Sequence, residues 1–221
     1  MTDTHAFSEA ERAALYRAIR ERRDVRRFHG DAIPDAVVQR LLEAAACAPS
    51  VGYMQPWNFL LIRDMDVRRR VHEAFAEANA EAQAMFPPER RSQYAALKLQ
   101  GILECGLNLC ITCDRSRSGP VVLGRTCQPD MDLFSSVCAV QNLWLAARAE
   151  GIGVGWVSII KPDALSNILQ LPEQVVPVAY LCIGYTPAFA AEPELKTLGW
   201  LPEIPLAELI FHDYWGNGAA K

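Results

Sequence analysis

The segment Val175–Tyr185, VVPVAYLCIGY, is apolar at almost every position and offers no alternation of polar and apolar residues. A strand with one wet face alternates, so an unbroken run of this length reads as a strand buried on both faces. Such a strand needs a covering layer on each side of its sheet. The chain therefore has to supply helices for two faces, and its remaining patterns do so.

Ser8 and Glu11 have capping-box spacing and Leu15 and Ile19 follow on one face, which predicts a helix over 8–21. Pro34 opens a second helix with the stripe Val37, Val38, Leu41, Leu42 and Ala45, and Pro49 closes it. WNFLLIRD reads as a strand, and Val67, Val71 and Phe75 mark the helix after it. MFPPERRSQ is a break before a further helical segment through Tyr94, Leu97 and Ile102. This Pro-Pro break is also a candidate hinge for a lid. LNLCITCD is a strand, RSRSGPVVLGRTCQPD a long irregular connection, and Asp132–Glu150 a long apolar helix through Phe134, Val137, Cys138, Gln141 and Leu145. GVGWVSII and PDALSNILQL add a strand and a helix. Helices outnumber strands without alternating one for one, which predicts an α+β fold with a central sheet flanked by helices.

No repeat or linker divides the 221 residues, so a single domain over 1–221 is expected, with a Pro-rich extension from about residue 186. That extension carries Trp200, Leu201, Ile204, Leu206, Leu209, Ile210, Phe211, Tyr214 and Trp215. So apolar a tail is expected to dock on a partner subunit. A pI near 5.6 argues against bulk nucleic-acid binding. No apolar run is long enough to span a membrane, and the polar N-terminus lacks the apolar core of a signal peptide. Seven cysteines, an odd number set mostly in apolar runs, favour reduced thiols in the cytoplasm.

Cys105, Cys110 and Cys113 have the spacing of a plant-type iron–sulfur ligand run. Cys110 and Cys113 differ by three, however, so on a strand they point to opposite faces, and buried thiols are the expectation. No metal is expected. GIGVGW lacks the third glycine of a dinucleotide fingerprint, and its strand follows the glycines; Gly151 reads as a helix C-cap. None of the four histidines forms a zinc-site spacing or a recognisable triad.

One charge cluster remains. In IRERRDVRRFHGD, Arg20, Arg22, Arg23, Arg26 and Arg27 surround a single acid, Asp24, in a chain of net charge -4. Cations suit a helix C-terminus, so a solvated helix end is one reading. The interleaved Val25 and Phe28 favour packing, and converging guanidinium groups suit a phosphate monoester, so an anion pocket is the other. APSVGYMQPWNF adds a loop of backbone amides, an amide side chain and an aromatic plane, a set that suits a flat heteroaromatic ring.

Together RRDVRRF, APSVGYMQPWNF and GIGVGWVSI resemble, in order and spacing, the nitroreductase-like flavoprotein family, whose motifs run R-R-S-x-R-x-F, A-P-S-x-x-x-Q-P-W-x-F and a late G-x-G-x-G. The resemblance implies a mainly antiparallel sheet and a homodimer with FMN at the subunit interface. By position, Arg22, Arg23 and Arg26 would hold the phosphate and ribityl chain, with Asp24 and Val25 between them also at the FMN. Ser50, Gly52 and Gln55 would contribute from the second subunit, and Val157 and Ser158 would approach the isoalloxazine ring. Asp24 stands where most of the family has Ser or Thr, and LGWLP lacks the basic pair many members carry there. With VLGRT, DMDLFS and GWVSI, that departure resembles the subgroup that fragments reduced FMN with O2 and relies on a separate flavin reductase. Asp24 and Ser158 are then the candidate catalytic residues, the carboxylate relaying protons and the hydroxyl positioning the ring. A salt bridge that merely orders the arginines is the plainer role for Asp24. A conventional NAD(P)H-dependent nitroreductase is the alternative activity, and a flavin carrier without chemistry is a further one.

Overall fold

The computed structural model describes residues 5–217, which fall into two compact units divided between Phe189 and Ala190. The first holds a four-stranded sheet in the order β1-β2-β4-β3, formed by β1 (Trp57–Ile62), β2 (Leu107–Asp114), β3 (Gly153–Val157) and β4 (Val175–Gly184). Every neighbouring pair is antiparallel. β4, the apolar run, lies inside the sheet and is buried from Ala179 to Gly184. Its Leu181 and Ile183 join one core with α2 (Asp35–Ala46) and α5 (Met131–Ala149). Tyr180 and Cys182 point the other way, into a second core with α3 (Met65–Met85) and α6 (Pro162–Leu169). Two covered faces explain the missing alternation.

The second helix and both Pro-led boundaries form as the sequence predicts, and Ser8 and Glu11 make the reciprocal capping box of α1 (Glu9–Glu21). α1 buries none of its residues, however, and Leu15 and Ile19 are 47% and 46% exposed. α5 differs from expectation in a related way. Its buried face is Ser135, Ser136, Ala139, Val140, Leu143, Trp144 and Ala147. Phe134 and Val137 instead face outward. The helix is apolar on both sides, and the sequence pattern alone picked the wrong one.

Two boundaries also move. Pro88 does not prolong the break but opens α4 (Pro88–Ala95), because a proline at the first helical position forgoes an N–H that needs no partner there. The helix expected through Leu97 and Ile102 ends at Ala95. Beyond it the buried Arg68 guanidinium donates to Ile102 O at 2.6 Å and Cys105 O at 2.6 Å, fixing the non-helical segment that leads into β2. Cys110 faces the α3 side of the sheet while Cys113 neighbours Ser136 of α5, so the two thiols occupy opposite faces. Burial pushes the Cys110 thiol up to about 12. Among the described residues no helix is long and apolar enough to cross a membrane. The second unit contains α7 (Glu194–Thr197) and one 3-10 turn, and its Leu201, Ile204, Leu206 and Trp215 are exposed.

The outer edge of β3 is not left open. Asp24 bridges Val154 in parallel, and Val25 N–H donates to Val154 O at 2.9 Å, so residues after α1 run along β3 like a short extra strand. Gly155 permits this approach, since a Cβ there would lie 2.1 Å from Val25 O. Gly155→Ala should therefore push this segment off the edge and cost about 1–3 kcal/mol, the range for overpacking. Chemical denaturation checks it, and an unchanged midpoint would contradict the close contact.

Candidate active site

Helix α1 delivers the arginines to the β3 edge. Arg148 of α5 donates to Glu21 O at 3.3 Å and to its carboxylate at 2.5 Å, fixing the end of the helix. The Arg22 guanidinium lies 4.7 Å from the centroid of the Trp144 ring, a cation–π contact, and Trp144 Nε1–H donates to Arg23 O at 3.1 Å. Arg23 turns back and donates to Arg20 O and Arg22 O, both at 2.8 Å, closing the helix C-terminus. Arg20 and Arg27 are exposed. The five arginines thus divide into three half-buried ones and two on the surface.

Asp24 and Arg26 form a clasp on β3. Asp24 Oδ1 accepts from Trp156 N–H at 2.9 Å, and Oδ2 accepts from Arg26 Nη2, which also donates to Trp156 O at 2.7 Å. Arg26 Nη1 is buried and has no hydrogen-bond partner among the described residues. Protein crowded around Asp24 raises its carboxyl above the ordinary range, against the opposing pull of Arg26, the Trp156 N–H and Arg22. Yet the side chain stays 46% exposed, so its oxygens remain reachable from solvent. A carboxyl of raised proton affinity with an open side can take up and pass on a proton. Ser158, just past the end of β3, is exposed. Val25 and Val157 are 7% and 3% exposed with their side chains in the interior, so only their backbones can meet a ligand.

The other loop lies elsewhere. Ser50 precedes a 3-10 turn, Val51–Tyr53, that runs through Gln55 into β1. Ser50 Oγ accepts from Gln55 N–H, and Ser135 Oγ of α5 accepts from Val51 N–H, both at 3.0 Å. Gly52, Tyr53 and Gln55 have φ of 53°, 54° and 47°, in the left-handed region. β1 and β3 are opposite edges of the sheet. Three strand intervals separate them, roughly 14 Å at the usual spacing. The structure gathers Arg22, Arg23, Asp24, Val25, Arg26, Val157 and Ser158 at one edge, and places Ser50, Gly52 and Gln55 at the entry to the other.

Several contributors had no signal in the sequence. Trp156 grips the clasp through its backbone, which any residue could do. Trp144 lies under Arg22 from a helix more than a hundred residues away, and Ser135 is a small residue within an apolar helix.

With this geometry in view, the comparisons define the class. Residues 19–185 match the model of the nitroreductase family, and the chain belongs to that family. Among curated relatives, it is 42% identical over 199 residues to the 5,6-dimethylbenzimidazole synthase of Rhodospirillum rubrum, covering 90% of this chain and 94% of that one. It is 38% identical over 200 residues to the enzyme of the same name from Rhodobacter capsulatus, covering 90% and 96%. A crystal structure of oxidized iodotyrosine deiodinase bound to FMN and 3-iodo-L-tyrosine matches with a TM-score of 0.68 at 19% identity, over 80% of this chain and 92% of that one. The last likeness speaks to the fold.

The Asp24 environment gives a pH dependence with a definite sign. Its folded-state pKa lies above the unfolded value, so the folded protein holds that proton more tightly. The resulting stability is present at low pH and is lost as pH rises from the ordinary value of 3.8 through the raised one. Asp24→Asn mimics the protonated form. The wild type should lose stability relative to this variant across that window, as read by paired thermal melts; a difference that does not vary with pH would contradict the assignment.

Proposed function

We propose that this protein is an O2-dependent 5,6-dimethylbenzimidazole synthase, which fragments reduced FMN to the lower ligand of vitamin B12 and erythrose 4-phosphate. The observation that carries the reading is Asp24, an acid of raised proton affinity set among arginines and open on one side. The relatives that share its family and most of its length support the same reading.

The residues present fit FMN. Arg26 Nη1 is a buried guanidinium donor still without an acceptor, and such donors are rarely left unmatched in a working protein. A phosphate monoester supplies the acceptor, with Arg22 and Arg23 adding charge. Reduced FMN brings the electrons for O2 and the ring and ribityl carbons that the reaction separates. Around it Asp24 accepts and returns protons, Ser158 positions the ring through its hydroxyl, and Val25 and Val157 offer backbone groups. Gly153 and Gly155 let the Asp24 segment lie close on β3. No metal enters this reading. Reduced FMN comes from a separate flavin reductase, and the reaction takes place in the cytoplasm.

Ser50, Gly52 and Gln55 complete the site from a second copy of the chain. Support comes from the sheet order, which keeps them away from the Asp24 edge of their own chain, and from the outward apolar residues of α1 and α5. In this reading Leu15, Ile19, Phe134 and Val137 are covered by the partner, and the exposed apolar residues of the tail dock on it. Val137→Asp places a charge in that contact. It should convert the dimer to a monomer and abolish FMN binding together; sedimentation and flavin fluorescence check this, and a monomer that still binds FMN would contradict the shared site.

The activity itself is tested by supplying chemically reduced FMN and air and looking for the benzimidazole. The wild type should form it, while Asp24→Asn should bind FMN and lower the product at least about 100-fold, the lower end for loss of a proton-transfer group, and Ser158→Gly should bind FMN and lower the product as well. Full flavin binding without product would refute the reading. Rapid bleaching of bound flavin by NAD(P)H alone would favour a conventional nitroreductase.

A further inference from the structure

The flavin loop contains strain that its own residues do not account for. Tyr53 and Gln55 hold φ of 54° and 47°, a strained conformation for a non-glycine residue that persists only where the surroundings fix it. Ser50 Oγ holds the Gln55 N–H from inside the loop. From outside, Arg117 in the connection between β2 and α5 reaches the other side of Gln55. Its Nη1 donates to Gln55 O at 2.5 Å and Trp57 O at 3.0 Å, and its Nη2 donates to Asn58 Oδ1 at 2.5 Å. One planar fork thus spans the turn from Gln55 to the first residues of β1, which a point charge on a flexible stem cannot do.

The base of this clamp is anchored. Arg115 and Arg125, in the same connection, both pair with Asp132 at the start of α5, at 3.0 and 3.3 Å. Asp132 is fully buried. The connection also fills the space beside Gly52, where an added Cβ would lie 2.6 Å from Val122 Cγ1. A segment without helix or strand is therefore braced on α5 and pressed against the strained turn.

We propose that Arg117 is a positioning residue of the flavin site, acting through the Gln55 and Trp57 carbonyls to hold Ser50, Gly52 and Gln55 in their binding conformation. This rests on the reading above that the loop binds FMN. It adds a residue far from the arginine cluster on which flavin affinity depends.

The test is FMN titration of the wild-type protein, Arg117→Lys and Arg117→Ala, the last with and without low-millimolar guanidinium, and with urea as a neutral control of the same shape. Loss of these charged hydrogen bonds should weaken FMN binding at least tenfold in Arg117→Ala. Guanidinium should restore most of that affinity, urea should not, and Arg117→Lys should stay well below wild type. Affinity within twofold of wild type in both variants would overturn the proposal. So would a loss that guanidinium leaves untouched while the melting temperature falls, since that marks a merely structural role. If Arg117→Ala fails to fold, Arg117→Lys alone decides by its affinity. A wild type that binds no FMN would overturn the proposed function as well, whereas variants equal to a binding wild type overturn only this inference.

Discussion

The clasp of Asp24 and Arg26 on the backbone of Trp156 is the interaction on which the rest of the site depends. It joins a segment just past α1 to the edge of β3, and it does so with both carboxylate oxygens and one guanidinium nitrogen. The Val25 side chain then packs on Gly153, Arg22 settles on Trp144, and Arg148 secures the end of α1. A strand edge that could invite non-specific pairing is thereby capped and turned into a charged wall. The same clasp leaves Arg26 Nη1 buried without an acceptor and Asp24 with an open side. In the proposed reading structure and chemistry come from one set of contacts, since the arginines that order the acid would also hold the phosphate.

The sheet order imposes the second constraint. The APSVGYMQPWNF loop feeds β1 while the clasp sits on β3, with β2 and β4 between them. In the proposed reading apposition of two chains brings these halves face to face, through the exposed apolar residues of α1 and α5. On this account dimerisation is part of building the active site. The proposed interface would cover the helices that one chain leaves under-buried.

Much of the fold was legible because periodicity and punctuation agreed locally. Val175–Gly184, Leu107–Asp114 and Asp35–Ala46 form where apolar runs and prolines place them. The failures share a cause. On α5 both faces are apolar, so no rule of alternation could separate the inward Val140 and Leu143 from the outward Phe134 and Val137. The segment through Tyr94, Leu97 and Ile102 leaves the helix at Ala95, and the distant Arg68 holds the Ile102 and Cys105 carbonyls beyond it. At the site, the charged and glycine-rich motifs were visible as motifs. Trp144, Trp156, Ser135 and Arg117 were not, because each acts through tertiary contact or backbone and leaves no local pattern.

The central claim, that each flavin site is assembled from the β3 edge of one chain and the Ser50–Gln55 loop of another, is tested most directly with a purified heterodimer. One chain carries Asp24→Asn and the other Gly52→Ala, so that one composite site has both lesions and the other has neither. The account predicts benzimidazole from reduced FMN and air at about half the wild-type rate, while each parent homodimer forms little or none. A heterodimer as inactive as its parents would place the whole site within one chain and contradict the account.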